Sequence, residues 1–112
     1  MVGFQITNNA AEDVMDIARY GRKHWGAERA RSYTQDLYER FQWLANFPAA
    51  GLQREDIGEG YRSYPHKSHV VYYTRLSGEQ IAILGVLHGK ADPLKHFPIG
   101  DDWASSISDV ES

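Results

Sequence analysis

Residues 60–97, GYRSYPHKSHVVYYTRLSGEQIAILGVLHGKADPLKHF, constrain this chain more than any other part of it. Val70, Val71, Tyr72, Tyr73 and Thr74 form a β-branched and aromatic run, and residues 80–87 form a second. Between them lies RLSGE at 75–79, short and Gly-containing, which is the pattern of a hairpin with a three-to-five-residue loop. Upstream, residues 61–64 read as a third short strand, stopped by Pro65, which has no N–H to give to a ladder. His66, Lys67 and Ser68 then turn the chain into the central strand. The stretch predicts three consecutive antiparallel strands.

The hairpin is apolar on both faces. Val71 and Tyr73 point one way and Val70 and Tyr72 the other, by the period of two along a strand. In the second run, Ile81, Ile83 and Leu87 oppose Leu84 and Val86. An antiparallel sheet with one wet face alternates apolar and polar residues instead. Either the chain covers both faces, or one face is reserved for a partner.

At 112 residues the chain makes one domain with a modest core, and 42% hydrophobic and 24% charged residues are ordinary globular values. The absence of cysteine excludes a disulfide framework, a Cys-based zinc site and a thiol nucleophile. The start, MVGFQITNNA, has neither the basic residues nor the apolar run of a signal peptide. The longest apolar run, residues 81–87, is too short to span a membrane. These features predict a soluble, cytoplasmic protein with no membrane partner.

Charge divides the chain. Residues 1–97 carry all 12 Lys and Arg with 11 acids, a balance of +1, whereas residues 98–112 carry four acids and no base, −4. A protein that grips nucleic acid through phosphates shows a clear basic excess. The balance here argues against direct sequence-specific nucleic-acid binding by this chain alone. We therefore divide it into a domain at 1–97 and an acidic, Ser-rich tail at 98–112, in which Trp103 and Ile107 are the large apolar residues.

In chain order, Val2, Phe4 and Ile6 mark an opening strand. Asn8 or Asn9 caps a helix with Glu12 and Asp13 in its first turn, where the dipole favours acids. Ala11, Val14, Met15 and Ala18 follow helical spacing, and Ile17, Tyr20, Gly21 and His24 widen the stripe. The helix ends near Trp25 and Gly26. A second begins at once, with Ala30, Tyr33, Leu37, Phe41 and Leu44 on one face, and Pro48 closes it. Trp25 and Trp43 read as core. Residues 48–59 have loop composition, and residues 94–97 make one helical turn. The order is β-α-α-β-β-β: an α+β fold in which a helical hairpin packs on a small antiparallel sheet.

That order resembles the RelE/ParE toxin superfamily of bacterial toxin–antitoxin modules, and specifically its ParE branch. The residues that carry the resemblance are Trp25 and Gly26 between the helices, Phe47 and Pro48 closing the second, GYRSYP at 60–65, SHVVYY at 68–73, and ILGVLHG at 83–89 followed by Asp92. The similarity covers residues 2–97. It implies a growth-inhibiting toxin that inhibits or poisons DNA gyrase, needs no cofactor, and is neutralised by a ParD-like antitoxin in a hetero-oligomer. The RelE branch implies the alternative, a ribosome-dependent endoribonuclease acting on messenger RNA. A degenerate toxin fold that only binds antitoxin is the third reading.

Cleavage through a 2′-hydroxyl needs a base, cations for the phosphate charge and an acid for the leaving oxygen. By the resemblance, Arg62 occupies a basic position of the nuclease branch, Ala91 another with Lys90 beside it, and Phe97 the position of a tyrosine. Ala has no charge and Phe no hydroxyl, so two roles are vacant. A nuclease would have to use Arg62, His88 and Lys90; the more economical reading is that no residue is catalytic and the protein is a protein-binding inhibitor. His66, His69, His88 and His96 lack the cysteine or close carboxylate that would complete a tetrahedral metal set. For the antitoxin, the two-faced hairpin nominates Val70, Tyr72, Leu84 and Val86, with Arg62 at the rim.

Overall fold

A computed structural model describes residues 2–97 of the chain. Thr7 starts the first helix. Its backbone is extended, its hydroxyl accepts the Ala10 N–H at 3.1 Å, and the same hydroxyl donates to the Leu84 carbonyl at 3.3 Å. The cap is therefore Thr7 and not Asn8 or Asn9. A Thr Oγ1 both caps and binds the sheet from this position, whereas an asparagine one residue later would face solvent. The earlier start leaves the first turn without an acid and moves Asp13 opposite the last long strand.

The opening strand β1 spans Gly3–Ile6 and leads into helix α1, Asn8–His24. Trp25 closes α1 through its N–H to the Gly21 carbonyl, and Gly26, at φ 98, turns the chain into α2, Ala27–Asn46. Only a residue without Cβ takes that conformation cheaply, so the two helices need no longer loop. A two-residue strand, β2 at Leu52–Gln53, lies within the stretch whose composition predicts only loop. It is followed by β3 at Arg62–His66, β4 at His69–Arg75, β5 at Gln80–His88 and a short helix α3 at Pro93–His96.

Among the described residues the sheet has five strands in the order β1-β5-β4-β3-β2. The hairpins β3–β4 and β4–β5 are antiparallel as expected, and Leu76 closes the second through its N–H to the Gln80 carbonyl. β1, however, runs parallel to β5, so the sheet is mixed and not wholly antiparallel. Parallel neighbours need a long crossover, and the helical hairpin begins it. Pro65 does not stop β3. β2 pairs only with Arg62 and Ser63, so at Pro65 the strand is an edge and the missing N–H breaks no ladder there.

Both sheet faces are covered by the chain itself. On one, Val71, Tyr73, Ile81, Ile83 and Val86 pack against Val14, Leu37, Phe41 and Leu44 of the helices. On the other, Tyr72, Ala82, Leu84 and Leu87 pack under Ile57, Tyr61 and Phe97. Gly85 lets Phe97 seat there, since a Cβ at that position would lie 2.7 Å from the ring. The β4–β5 register shifts between Tyr72 and Tyr73, which inserts Leu84 as an extra residue and returns Val86 to the helix face. The expectation that placed Val86 with Leu84, and Leu87 with Ile81 and Ile83, is corrected by that bulge. Trp43 is half-buried against the helix-side core, and Trp25 is half-buried outside it.

Candidate functional site

The three residues nominated for nuclease chemistry are dispersed. Arg62 Nη1 donates to the Gly51 carbonyl at 2.7 Å and approaches the Ala49 carbonyl at 3.5 Å, so its guanidinium pins the loop before β2. His88 is exposed at the end of β5, where Nδ1 accepts the Lys90 N–H at 3.2 Å. Lys90 is exposed in the turn beyond. Arg62 pairs with Tyr73 and His88 with His69, which puts the two apart by four residues of β4, about 13 Å at ~3.3 Å per residue. They also lie two strands apart. No single phosphate reaches both.

The residues nominated for the antitoxin are mostly interior. Tyr72, Leu84 and Val86 are 4%, 2% and 3% exposed. Tyr72 and Leu84 lie beneath Ile57, Tyr61 and Phe97, and Val70 is half-buried at the margin of that cluster. The second apolar face is thus not left bare for a partner within the described residues. Trp103 and the rest of the tail at 98–112 lie outside them.

A cleft opens instead where α1 passes the end of β5. Asp13, Asp16, Ile17 and Tyr20 recur at three and four along α1 and form one wall. Val86, Leu87 and His88 form the other, with Trp25, Ser68 and His69 closing one end, around a volume of about 540 Å³. The cleft exists because β1 stops at Ile6, paired with Ile83, while β5 continues to His88. Tyr20 is 57% exposed, a large aromatic that its own helix does not bury. In the sequence, Ile17 and Tyr20 stand out only as a widening of the helical stripe. That width was the signal, since α1 has more apolar surface than α2 and the sheet can cover.

Polar groups lie in the cleft and beside it, with Asp13 and His69 among its lining residues. Asp13 Oδ2 accepts the Val86 N–H at 3.0 Å, and His96 Nε2 lies 3.2 Å from the same oxygen, close but poorly aligned for a hydrogen bond. Burial pushes the Asp13 carboxyl up, while the Val86 N–H and the His96 imidazole draw it back. The Tyr33 hydroxyl and His69 Nδ1 share a 2.6 Å hydrogen bond. Burial lowers the His69 pKa, with His88 and His66 adding to it, so the ring favours its neutral form. Among the described residues no group of three His, Cys, Asp or Glu side chains is placed to hold a metal ion, and no helix is long and apolar enough to cross a membrane.

The model of the family described as "ParE toxin of type II toxin-antitoxin system, parDE" matches residues 4–93, most of the chain. The chain belongs to the ParE toxin family. Toxin ParE1 of Caulobacter vibrioides is 31% identical over 97 residues, which cover 87% of this chain and 99% of that relative. Toxin ParE of Escherichia coli is 26% identical over 82% of this chain and 89% of its own length. Toxin ParE1 of Mycobacterium tuberculosis is 33% identical over 72% and 80%. A solved structure titled "Chromosomal ParDE TA system from P. aeruginosa" superposes with a TM-score of 0.66. It covers 79% of this chain and 96% of its own at 24% identity, a likeness of fold. This ParE chain is therefore the toxin of a type II toxin–antitoxin system, with an antitoxin as its partner.

Proposed function

We propose that this ParE toxin acts in the cytoplasm by binding and inhibiting DNA gyrase, without cleaving RNA, and that a ParD-like antitoxin neutralises it by occupying the cleft between α1 and the end of β5. The observation that carries the first half is the employment of Arg62. Its guanidinium is bound to the Gly51 carbonyl and stands far from His88 and Lys90, so base, phosphate clamp and acid do not converge. Ala91 has no charge, and Phe97, at the position of the nuclease tyrosine, is buried without a hydroxyl. The near-neutral balance of residues 1–97 supports a protein target over an extended polyanion.

The second half rests on the cleft. It joins apolar walls from Ile17, Tyr20 and Trp25 to the carboxylates of Asp13 and Asp16, a combination suited to a peptide with apolar anchors and a basic side chain. The test is a supercoiling assay with the purified toxin beside an RNA-cleavage assay on translating ribosomes. Loss of supercoiling with intact messages is expected. Codon-specific cuts with unimpaired supercoiling would overturn the reading. In the same frame, Arg62→Ala and His88→Ala proteins that fold retain toxicity in a growth assay, because removal of a general acid or base costs ~10²–10⁴-fold and neither residue acts as one.

A further inference from the structure

The near-neutral balance of residues 1–97 hides a concentration of charge, and we infer that the tip of the helical hairpin is a contact surface for the phosphates of double-stranded DNA. Residues 19–31 hold Arg19, Arg22, Lys23, Arg29 and Arg31, five of the 12 Lys and Arg, against the single acid Glu28. The turn at Trp25 and Gly26 folds the last turns of α1 back beside the first turns of α2, so these charges share the tip. Arg19 is tied to Asp16 at 2.7 Å. Arg22, Lys23, Arg29 and Arg31 are exposed, and among the described residues no ion pair holds them.

One cation from each helix, Arg22 of α1 and Arg31 of α2, lines a groove where the helices meet, together with Ala18, Ala27, Ala30 and Thr34, around a volume of about 280 Å³. The helices approach closely beside it because Gly21 has no side chain; a Cβ there would lie 3.0 Å from the Ala30 Cβ. The lining decides what kind of partner fits. A protein interface takes most of its affinity from large apolar or aromatic anchors in its core. This groove offers alanines and a threonine instead, so what binds it is held by charge. A duplex presents a phosphate charge about every 1.7 Å of its axis, a continuous row that arginines on neighbouring helices can bridge. Guanidinium groups bind phosphate oxygens through paired N–H donors, and the small lining residues let the backbone come close. Such contacts position without reading bases, so the binding is independent of sequence. It adds a nucleic-acid contact to a toxin proposed to act on gyrase, and does not depend on that target.

The experiment is fluorescence anisotropy of the full-length toxin alone, with labelled duplexes of about 25 base pairs and two unrelated sequences, as salt is raised from about 50 to 200 mM. Equal affinity for the two sequences is expected, with a log–log salt slope of roughly −2.7 to −3.6, the value for three or four phosphates. The Arg22→Gln, Arg31→Gln double variant is expected to bind about tenfold more weakly or worse and to lose about 2 from that slope. Arg75→Gln, a change at an exposed position at the end of β4, retains both. All three positions are on the surface, and unaltered urea midpoints show that the variants fold. No binding at the lowest salt, a flat salt dependence, or equal binding by the double variant overturns the DNA contact. If the duplex does not bind while the double variant loses inhibition of gyrase, the tip meets an acidic protein surface, and DNA is overturned as its partner. The binding assay contains no gyrase, so its failure leaves the gyrase reading standing, and a toxin that spares supercoiling can still bind the duplex.

Discussion

Tyr73 lies at the centre of the helix-side core, 0% exposed, yet its hydroxyl is used twice. It donates to the Pro48 carbonyl and accepts the Gly51 N–H, both at 2.8 Å, and so fixes the loop that carries the chain from α2 to β2. Arg62 holds the same loop from beside it through Gly51. Tyr73→Phe removes no apolar area but leaves a donor and an acceptor unmet, which costs about 1–3 kcal/mol for a buried group. The expected result is a lower urea midpoint with an unchanged slope, since the surface exposed on unfolding is the same. This role was not legible in the sequence. A tyrosine in a β-branched run reads as strand, and nothing in its neighbours tells that its hydroxyl meets residues 22 and 25 positions away. The alternation of Val71 and Tyr73 against Val70 and Tyr72 was legible, because it depends on the pleat alone.

Elements were read where their cause is local. The hairpin of β4 and β5, the Trp25 and Gly26 junction and the stripe of α2 all follow from spacing within a few residues. The parallel partner of β1 and the two residues of β2 depend on where distant chain returns, and the bulge at Leu84 reverses the face of Val86 without any sequence mark. The smallest helix is instructive for what holds it. Asp92 caps α3, its Oδ1 accepting the Leu94 N–H at 3.0 Å, and losing such a cap costs about 0.5–2 kcal/mol. Phe97, just past its end, is 3% exposed and meets Tyr72 and Tyr61 edge-on at centroid distances of 5.4 and 5.9 Å. Phe97→Ala is expected to cost about 3–5 kcal/mol, more than Asp92→Ala. Denaturant unfolding of both variants decides it; an equal loss would mean the cap and not the ring anchors α3. Gly85→Ala should act on the same contact from the sheet side, lowering stability by about 1–3 kcal/mol as the ring is displaced.

At the scale of the whole molecule, three strands place their histidines in one row: His66 opposite His69, and His69 opposite His88. The sequence shows the residues, which as a group suggest only metal ligands and in His88 alone a nuclease candidate; their row depends on two registers that spacing does not reveal. Its consequence is electrostatic. Burial lowers the His66 pKa from the ordinary 6.5, with Arg40 and Lys67 pushing the same way and Asp36 opposing; burial, His88 and His66 lower that of His69. The folded protein therefore binds these protons less readily than the unfolded chain does. Stability rises with pH wherever the unfolded state holds more protons, so the contribution of both rings is complete above about pH 6.5 and is lost as pH falls below it. Asp13 works in the opposite sense, since its carboxyl is raised and its contribution is greatest in acid. The ordinary histidine value of 6.5 sets the interval to test, from about pH 8 down through it, where the unfolded chain takes up the protons that the folded rings resist. Urea midpoints across that interval should fall with pH in the native protein and fall less in a His66→Gln, His69→Gln double variant, even though that variant starts from a lower midpoint. Parallel slopes in the two proteins would place the pH dependence elsewhere, and would remove the row of histidines as its cause.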